Sequence, residues 1–344
     1  MRGEKRQRAS SPDAAPRPRA RREGPGIGHI TYVFPEDTLG NEELRRRFEF
    51  KPDFLEVKLG IDRRYRARWG DTTSDMCAAA VDQLLTEAGE GPEAIDALIV
   101  VTLNPDYIMP HTAALVQQKC GLAKRVASFD VALGCSGYVY GLSLADSMMR
   151  SDGFSRVVLV TAVNFSRITD PNSRATVPIF GDAATATLLT TDNPRYFLGR
   201  CTYGTDGSMA EAIIVRGSGT AGEGDGLLEM DGRGVFNFMM REVPPDVERC
   251  LELNGLEKDD VTLWVFHQAS KYMVETLAGR LGIPPERVIL DLQDGGNTSS
   301  CTIPLTLRRR VLDSENLPEI IGLSGFGVGA SWASSFLFKN PRED

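Results

Sequence analysis

Three residues of this chain could serve nucleophilic chemistry, and each lies at a turn just after a strand-like run. Cys135 lies in Gly134-Cys135-Ser136-Gly137, after the apolar residues 126–133 and before a helix-like stretch at 138–150. The pattern reads as a buried strand, a sharp turn and a helix with a cysteine at its start. The positive end of the helix dipoles favours thiolate there, so a nucleophile with a lowered pKa is expected. The flanking glycines would let a substrate carbonyl approach the backbone. His267 ends Leu263-Trp264-Val265-Phe266 and opens Gln268-Ala269-Ser270, and Asn297 sits in Gly295-Gly296-Asn297-Thr298-Ser299-Ser300. Each type also has an ordinary use: a small core cysteine, a structurally bonded histidine, a turn asparagine. It is their recurrence on comparable turns that points to a nucleophile served by neutral polar partners. The other two histidines lie in the opening strand (His29) and near a helix start (His111).

The elements that must position these turns alternate between two periodicities. Residues 73–88 show helical spacing (Met76, Ala80, Leu84, Leu85, Ala88), and 96–101 form a short apolar run. A helix from 111 to a capping Gly121, the Cys135 turn and a strand at 156–163 follow. The second half repeats the order, with a helix at 246–253, a strand at 262–266 and a helix at 270–281. A strand at 287–290 then leads into the Asn297 turn, a further helix and a strand at 320–323. The spacings agree: Asn104 to Cys135 is 31 positions and His267 to Asn297 is 30, while Cys135 to Val160 and Asn297 to Gly322 are both 25. This predicts an α/β fold of two duplicated βα halves about a pseudo-twofold axis. The C-terminal ends of the central strands, where open α/β sheets place their sites, would then bring the three residues together.

Composition narrows the function classes. The formal charge of -8 argues against nucleic acid as a partner of the folded body, and no run of eighteen apolar residues exists to span a membrane. Six scattered cysteines without a CxxC pair, and three dispersed histidines, predict neither a metal site nor a disulfide framework and fit a reducing, cytoplasmic setting. No cofactor is expected. Residues 1–24 carry eight Lys/Arg against three Asp/Glu and read as a disordered basic tail.

Taken with their neighbours, these residues resemble a known family. Gly134-Cys135-Ser136-Gly137, His267-Gln268-Ala269 and Gly296-Asn297-Thr298-Ser299 are similar to the Cys–His–Asn triad of β-ketoacyl-[acyl carrier protein] synthase III, in the thiolase superfamily. So are Leu59-Gly60-Ile61 with Arg63-Arg64, Thr73-Ser74-Asp75-Met76, Pro105-Asp106-Tyr107, Phe180-Gly181-Asp182-Ala183 and Gly325-Phe326-Gly327-Val328-Gly329. The resemblance implies a thiolase-like fold in five α-β-α-β-α layers, with an N-terminal half at 27–190 and a C-terminal half at 195–341. It implies acyl loading onto Cys135 from acyl-CoA or an acyl-carrier protein, then decarboxylative condensation with a malonyl-carrier protein or malonyl-CoA. His267 Nε2 and Asn297 Nδ2 would stabilise the enolate, and the backbone N–H groups of Cys135 and Val328 would form the oxyanion hole. Donor-binding positions would be Phe54, Lys58, Arg63, Arg64, Arg167 and Lys271, and acyl-pocket positions Met109, supplied across a homodimer, and Phe180. Lys58, Met109, Tyr272 and Val328 depart from the family's usual residues and point to specialised polyketide or fatty-acid-derived metabolism. Two other readings stay open: an acyltransferase or chain-joining enzyme using the same Cys-bound acyl group, and a non-catalytic partner subunit. Gly325 to Gly329 is not followed by a helix with the right third glycine, so it is no dinucleotide fingerprint.

Overall fold

The computed structural model describes residues 23–343 except positions 52 and 315, so nearly all of the basic tail expected at 1–24 lies outside the described residues. In the first half the chain forms β1 (Gly26–Val33), β2 (Asp37–Gly40), α1 (Asn41–Arg47), β3 (Arg63–Arg66), α2 (Thr73–Ala88), β4 (Ala97–Val101) and α3 (Thr112–Lys119). It continues through β5 (Ala127–Val131), α4 (Gly137–Asp152), β6 (Arg156–Val163) and β7 (Ala183–Thr190). The second half has β8 (Tyr196–Leu198), β9 (Thr202–Thr205), β10 (Ile213–Val215), β11 (Leu228–Met230) and α5 (Gly232–Asn254). It ends with β12 (Leu263–Phe266), α6 (Lys271–Leu281), α7 (Thr302–Leu307), β13 (Ile320–Gly327) and β14 (Ser331–Lys339).

The strand order exposes the duplication. Ten strands run β12-β13-β14-β8-β1-β7-β6-β4-β5, with β9 paired to β14. Read outward from the β8–β1 junction, β1-β7-β6-β4 on one side answers β8-β14-β13-β12 on the other. Pairings match as well: β4–β6 and β12–β13 are parallel, β6–β7 and β13–β14 antiparallel. Both faces of the central strands are covered, which is why Ala97-Leu98-Ile99-Val100-Val101 is apolar throughout instead of alternating. Ile99 and Val101 face a core with Tyr138 and Leu142 of α4 and Ile303 and Leu307 of α7. Leu98 and Val100 face α2 and α3 through Leu84 and Val116. On the far side Trp264 and Phe266 pack on α5 and α6 through Val247 and Leu277. The layers are therefore α2/α3, the first strands, α4/α7, the second strands and α5/α6, the five-layer thiolase-like arrangement.

Two expected elements differ. The strand at 287–290 is reduced to one parallel bridge, Trp264 to Val288, because Pro284 and Pro285 and the following turns leave little extended chain. The helix expected at 246–253 begins much earlier, at Gly232, and carries Pro244 and Pro245 inside it. Prolines normally mark a boundary, and here packing of Phe238, Val243 and Val247 into the core keeps the helix continuous.

Candidate active site

Cys135, His267 and Asn297 meet on one short segment, residues 297–302. The Cys135 Sγ lies 3.4 Å from Ser299 Oγ. His267 Nδ1 lies 2.8 Å from Thr302 Oγ1. The Asn297 Oδ1 accepts the Ser299 N–H at 2.9 Å, so the carboxamide oxygen is occupied and Nδ2 is the atom left to donate. All three side chains are buried or nearly so. Ser299 touches two of the three directly and, through its carbonyl, holds the hydroxyl that holds the third. Its φ of 51° is in the left-handed region, an uncommon conformation for a residue with a side chain.

Strand β13 forms the floor beneath the nucleophile. A Cβ on Gly325 would stand 2.7 Å from the Cys135 carbonyl oxygen, and one on Gly327 would stand 2.9 Å from Cys135 Sγ. Glycines two apart on a strand share a face, so Gly325 and Gly327 leave a flat surface on which the Cys135 turn rests. Val328 follows directly. Its side-chain Cγ1 lies 2.6 Å from where a Gly134 Cβ would be, so the Val328 side chain packs against the nucleophile turn.

The electrostatics correct one expectation. Ser136 caps α4, which starts at Gly137, so Cys135 stands just outside the helix and is only 9% exposed. Burial pushes its thiol up to about 11, with Ser299 Oγ offsetting part of the rise. Desolvation disfavours the charged form, so burial keeps the resting sulfur a thiol. His267 is driven the other way, down to about 3, again chiefly by burial, and is a neutral imidazole at physiological pH.

The donor-binding positions scatter more widely. Arg64 is fully buried, donating to Pro178 O at 2.7 Å and Asn41 Oδ1 at 2.5 Å, and burial lowers it to about 10. It braces the loop under Asn297 and does not reach a tunnel mouth. Arg63 is paired with Asp294. Lys271 lines a cavity of about 230 Å³ beside Glu56 and Asp62 and faces Glu275 at 3.8 Å. Lys58 sits 4.6 Å over the Tyr272 ring, so two departures from the family pattern form one cation–π contact. Phe54 stacks on Phe50 at 5.2 Å. Arg167 donates to the carbonyls of Arg68 and Asp71, both at 3.2 Å, and its guanidinium lies 4.5 Å over Trp69. Trp69 is 95% exposed and, with Arg167, Leu103 and Ile108, lines a cavity of about 710 Å³. Leu103 Cδ1 also approaches the Gly134 turn, so it stands between that cavity and the nucleophile.

Phe180 bridges to Asn297 through its backbone and packs on Phe165 at 4.4 Å, beside Val163 and Leu228. Met109 is 80% exposed, next to Ile108 at 85%, on a loop tied down by Ser74 donating to Asp106. The sequence reading passed over Trp69 and Thr302. A glycine-flanked surface tryptophan carries no periodic signal, and a helix-start threonine looks like any other.

Comparison with known proteins agrees with this geometry. Residues 129–207 match the 3-oxoacyl-[acyl-carrier-protein] synthase III family and residues 251–338 match its C-terminal region. A β-ketoacyl-[acyl-carrier-protein] synthase III of Cereibacter sphaeroides is 35% identical over 323 residues, covering 91% of this chain and 97% of the relative. The structure of a 3-oxoacyl-(acyl-carrier protein) synthase from Burkholderia xenovorans superposes with a TM-score of 0.86 at 34% identity, over 93% of this chain and 95% of the other. A priming β-ketosynthase of the R1128 polyketide pathway superposes with a TM-score of 0.83 at 28% identity, over 93% and 98%. The chain belongs to the β-ketoacyl-[acyl-carrier-protein] synthase III family, a group of condensing enzymes with the thiolase fold. No helix among the described residues is long and apolar enough to cross a membrane.

Proposed function

We propose that this enzyme loads an acyl group from acyl-CoA or an acyl-carrier protein onto Cys135 and condenses it, with loss of CO2, with a malonyl thioester. The convergence of Cys135, His267 and Asn297 on residues 297–302 carries this reading. Cys135 is the nucleophile, and its own N–H with that of Val328 receives the oxyanion of each tetrahedral intermediate. Malonyl decarboxylation leaves an enolate, which the N–H groups of Asn297 Nδ2 and of the neutral His267 ring at Nε2 stabilise in a dry pocket. Phe180, with Phe165 beside it, walls the acyl site, and Met109 closes it from the second subunit of a homodimer. Arg167 and Trp69 border the donor's entrance, with Phe54, Lys58 and Lys271 further along the rim. The two halves divide at 27–190, bearing the nucleophile, and 195–341, bearing the histidine and asparagine.

The paired departures at Lys58 and Tyr272, Met109 on the exposed loop, and the likeness to a polyketide priming ketosynthase support a place in specialised metabolism. Asn297→Ala and His267→Ala tell condensation from plain acyl transfer. Both should still show the acyl mass on Cys135 with an acyl-thioester panel, Asn297→Ala at a near-normal rate, yet release on the order of 10²-fold less CO2 from malonyl-carrier protein. Normal CO2 release by either variant would favour acyl transfer to another acceptor, and a wild type that takes no acyl group would overturn the reading.

A further inference from the structure

Asn164 follows β6 and lies between Val163 and Phe165, two members of the apolar cluster that also holds Phe180. It is 2% exposed. Its Nδ2 donates to the Asp71 carbonyl oxygen at 3.3 Å, which orients the carboxamide, because a carbonyl can only accept. Its backbone N–H goes to Asn104 Oδ1 at 3.4 Å. The Oδ1 of Asn164 is the atom left over, and no donor among the described residues reaches it. A buried acceptor without a partner is rare and destabilising, so it marks a place where something other than this chain supplies the hydrogen.

The same asparagine lines the cavity of about 710 Å³. Trp69 stands at the exposed rim of that cavity, whereas Ile168 and Val215 on its wall belong to the cluster of Phe165 and Phe180. Leu103 lines it too and brings Cδ1 to 3.1 Å from where a Gly134 Cβ would be, so its inner end lies against the nucleophile turn. We infer that Asn164 selects acyl groups that carry a hydroxyl a few carbons from the thioester carbonyl, with Oδ1 accepting the O–H. This rests on the acyl-loading reaction proposed above and names the class of acyl group that the site takes. A hydroxyl suits the place better than an ammonium, since a neutral donor costs far less to bury beside a neutral acceptor. A ketone or ether oxygen in the same position would set one acceptor against another. A plain alkyl chain fits the volume but leaves the asparagine unpaired, and a site with a buried polar group discriminates against the analogue that cannot satisfy it.

The test gives the intact enzyme three CoA thioesters that differ only in the acyl group: butyryl, 3-hydroxybutyryl and 4-hydroxybutyryl. Acylation of Cys135 is followed by intact mass. The wild type should load one of the hydroxyacyl groups about tenfold more efficiently than butyryl. Asn164→Leu, similar in size but without the acceptor, should abolish that difference. Calorimetry on Cys135→Ala, which cannot load, should show the same order in binding alone. Equal loading of all three by the wild type would overturn the inference. So would a leucine variant that keeps the preference, even if all three slow together, because Asn164 would then serve the shared CoA moiety or the fold. If the leucine protein does not fold, the wild-type order and the calorimetry decide. Tighter binding of a hydroxyacyl-CoA beside a wild type that accepts no acyl group would fault the proposed reaction and leave the hydroxyl site standing. Equal binding of all three would overturn the site.

Discussion

At the residue scale, burial shifts both Cys135 and His267 toward their neutral forms. With its pKa near 11, Cys135 holds about one part in ten thousand as thiolate at pH 7. Its alkylation by iodoacetamide should therefore rise about tenfold per pH unit from 7 to 10, since the reactive form grows as pH approaches the raised pKa. The other five cysteines are also shifted up by burial, Cys120, Cys250 and Cys301 to about 12, and Cys135 should be labelled first because of its place at the nucleophile turn and not because of these shifts. A rate already flat at pH 7 in peptide mapping would mean a preformed thiolate, and first label on another cysteine would sink the nucleophile assignment. Arg167 offers a second test. Its contacts to two loop carbonyls and Trp69 are exposed, so Arg167→Ala should raise the donor KM several-fold and leave turnover of the loaded enzyme nearly unchanged. Failure in condensation alone would move Arg167 to the second substrate. The three candidate residues stood out in the sequence because each follows a strand-like run at a turn, although the run before Asn297 folds as a single bridge. The sign of the cysteine shift did not, since it depends on how much protein covers the sulfur.

At the element scale, strand β13 and the loop under Asn297 support the site in different ways. A methyl at Gly327 would overlap Cys135 Sγ, so Gly327→Ala should cut acyl loading about 10²-fold through displacement of the nucleophile. Its stability cost should be smaller, about 1–3 kcal/mol, the usual price of overpacking. Arg64→Met should do the reverse. Losing two charge-assisted hydrogen bonds in a buried site should cost about 2–4 kcal/mol in denaturant titrations, with the donor KM little changed. A raised KM with normal stability would return Arg64 to the donor path. Arg63 and Arg64 are adjacent basic residues in the sequence, and only the strand decides which face each one takes. In β3 the side chains alternate, so Arg63 reaches Asp294 at the surface and Arg64 points into the loop core.

At the scale of the whole molecule, one edge of the large sheet is left open. Among the described residues β5 pairs only with β4, and its five residues are half-buried throughout. Beside it the loop presents Tyr107, Ile108 and Met109 at 59%, 85% and 80% exposure. An unpaired strand with a neighbouring apolar patch is a surface that proteins cover, and an isologous pairing about a twofold axis covers both at once. Light scattering should give a dimer, and Met109→Ala should extend the longest acyl chain accepted, while a stable, active monomer would assign Met109 to its own chain.

The duplication itself was readable in the sequence. Helical and strand periodicities and the matched spacings of 30 and 31 positions come from local patterning, and they placed Cys135, His267 and Asn297 on comparable turns. Only the tertiary structure decided what those turns do to one another. The strained Ser299 turn and the glycine face of β13 under the sulfur join residues more than 100 positions apart, and the Thr302 hydroxyl meets His267 across 35. Protonation state follows from desolvation and from which atom meets which, and it is not encoded in the period of a helix or a strand.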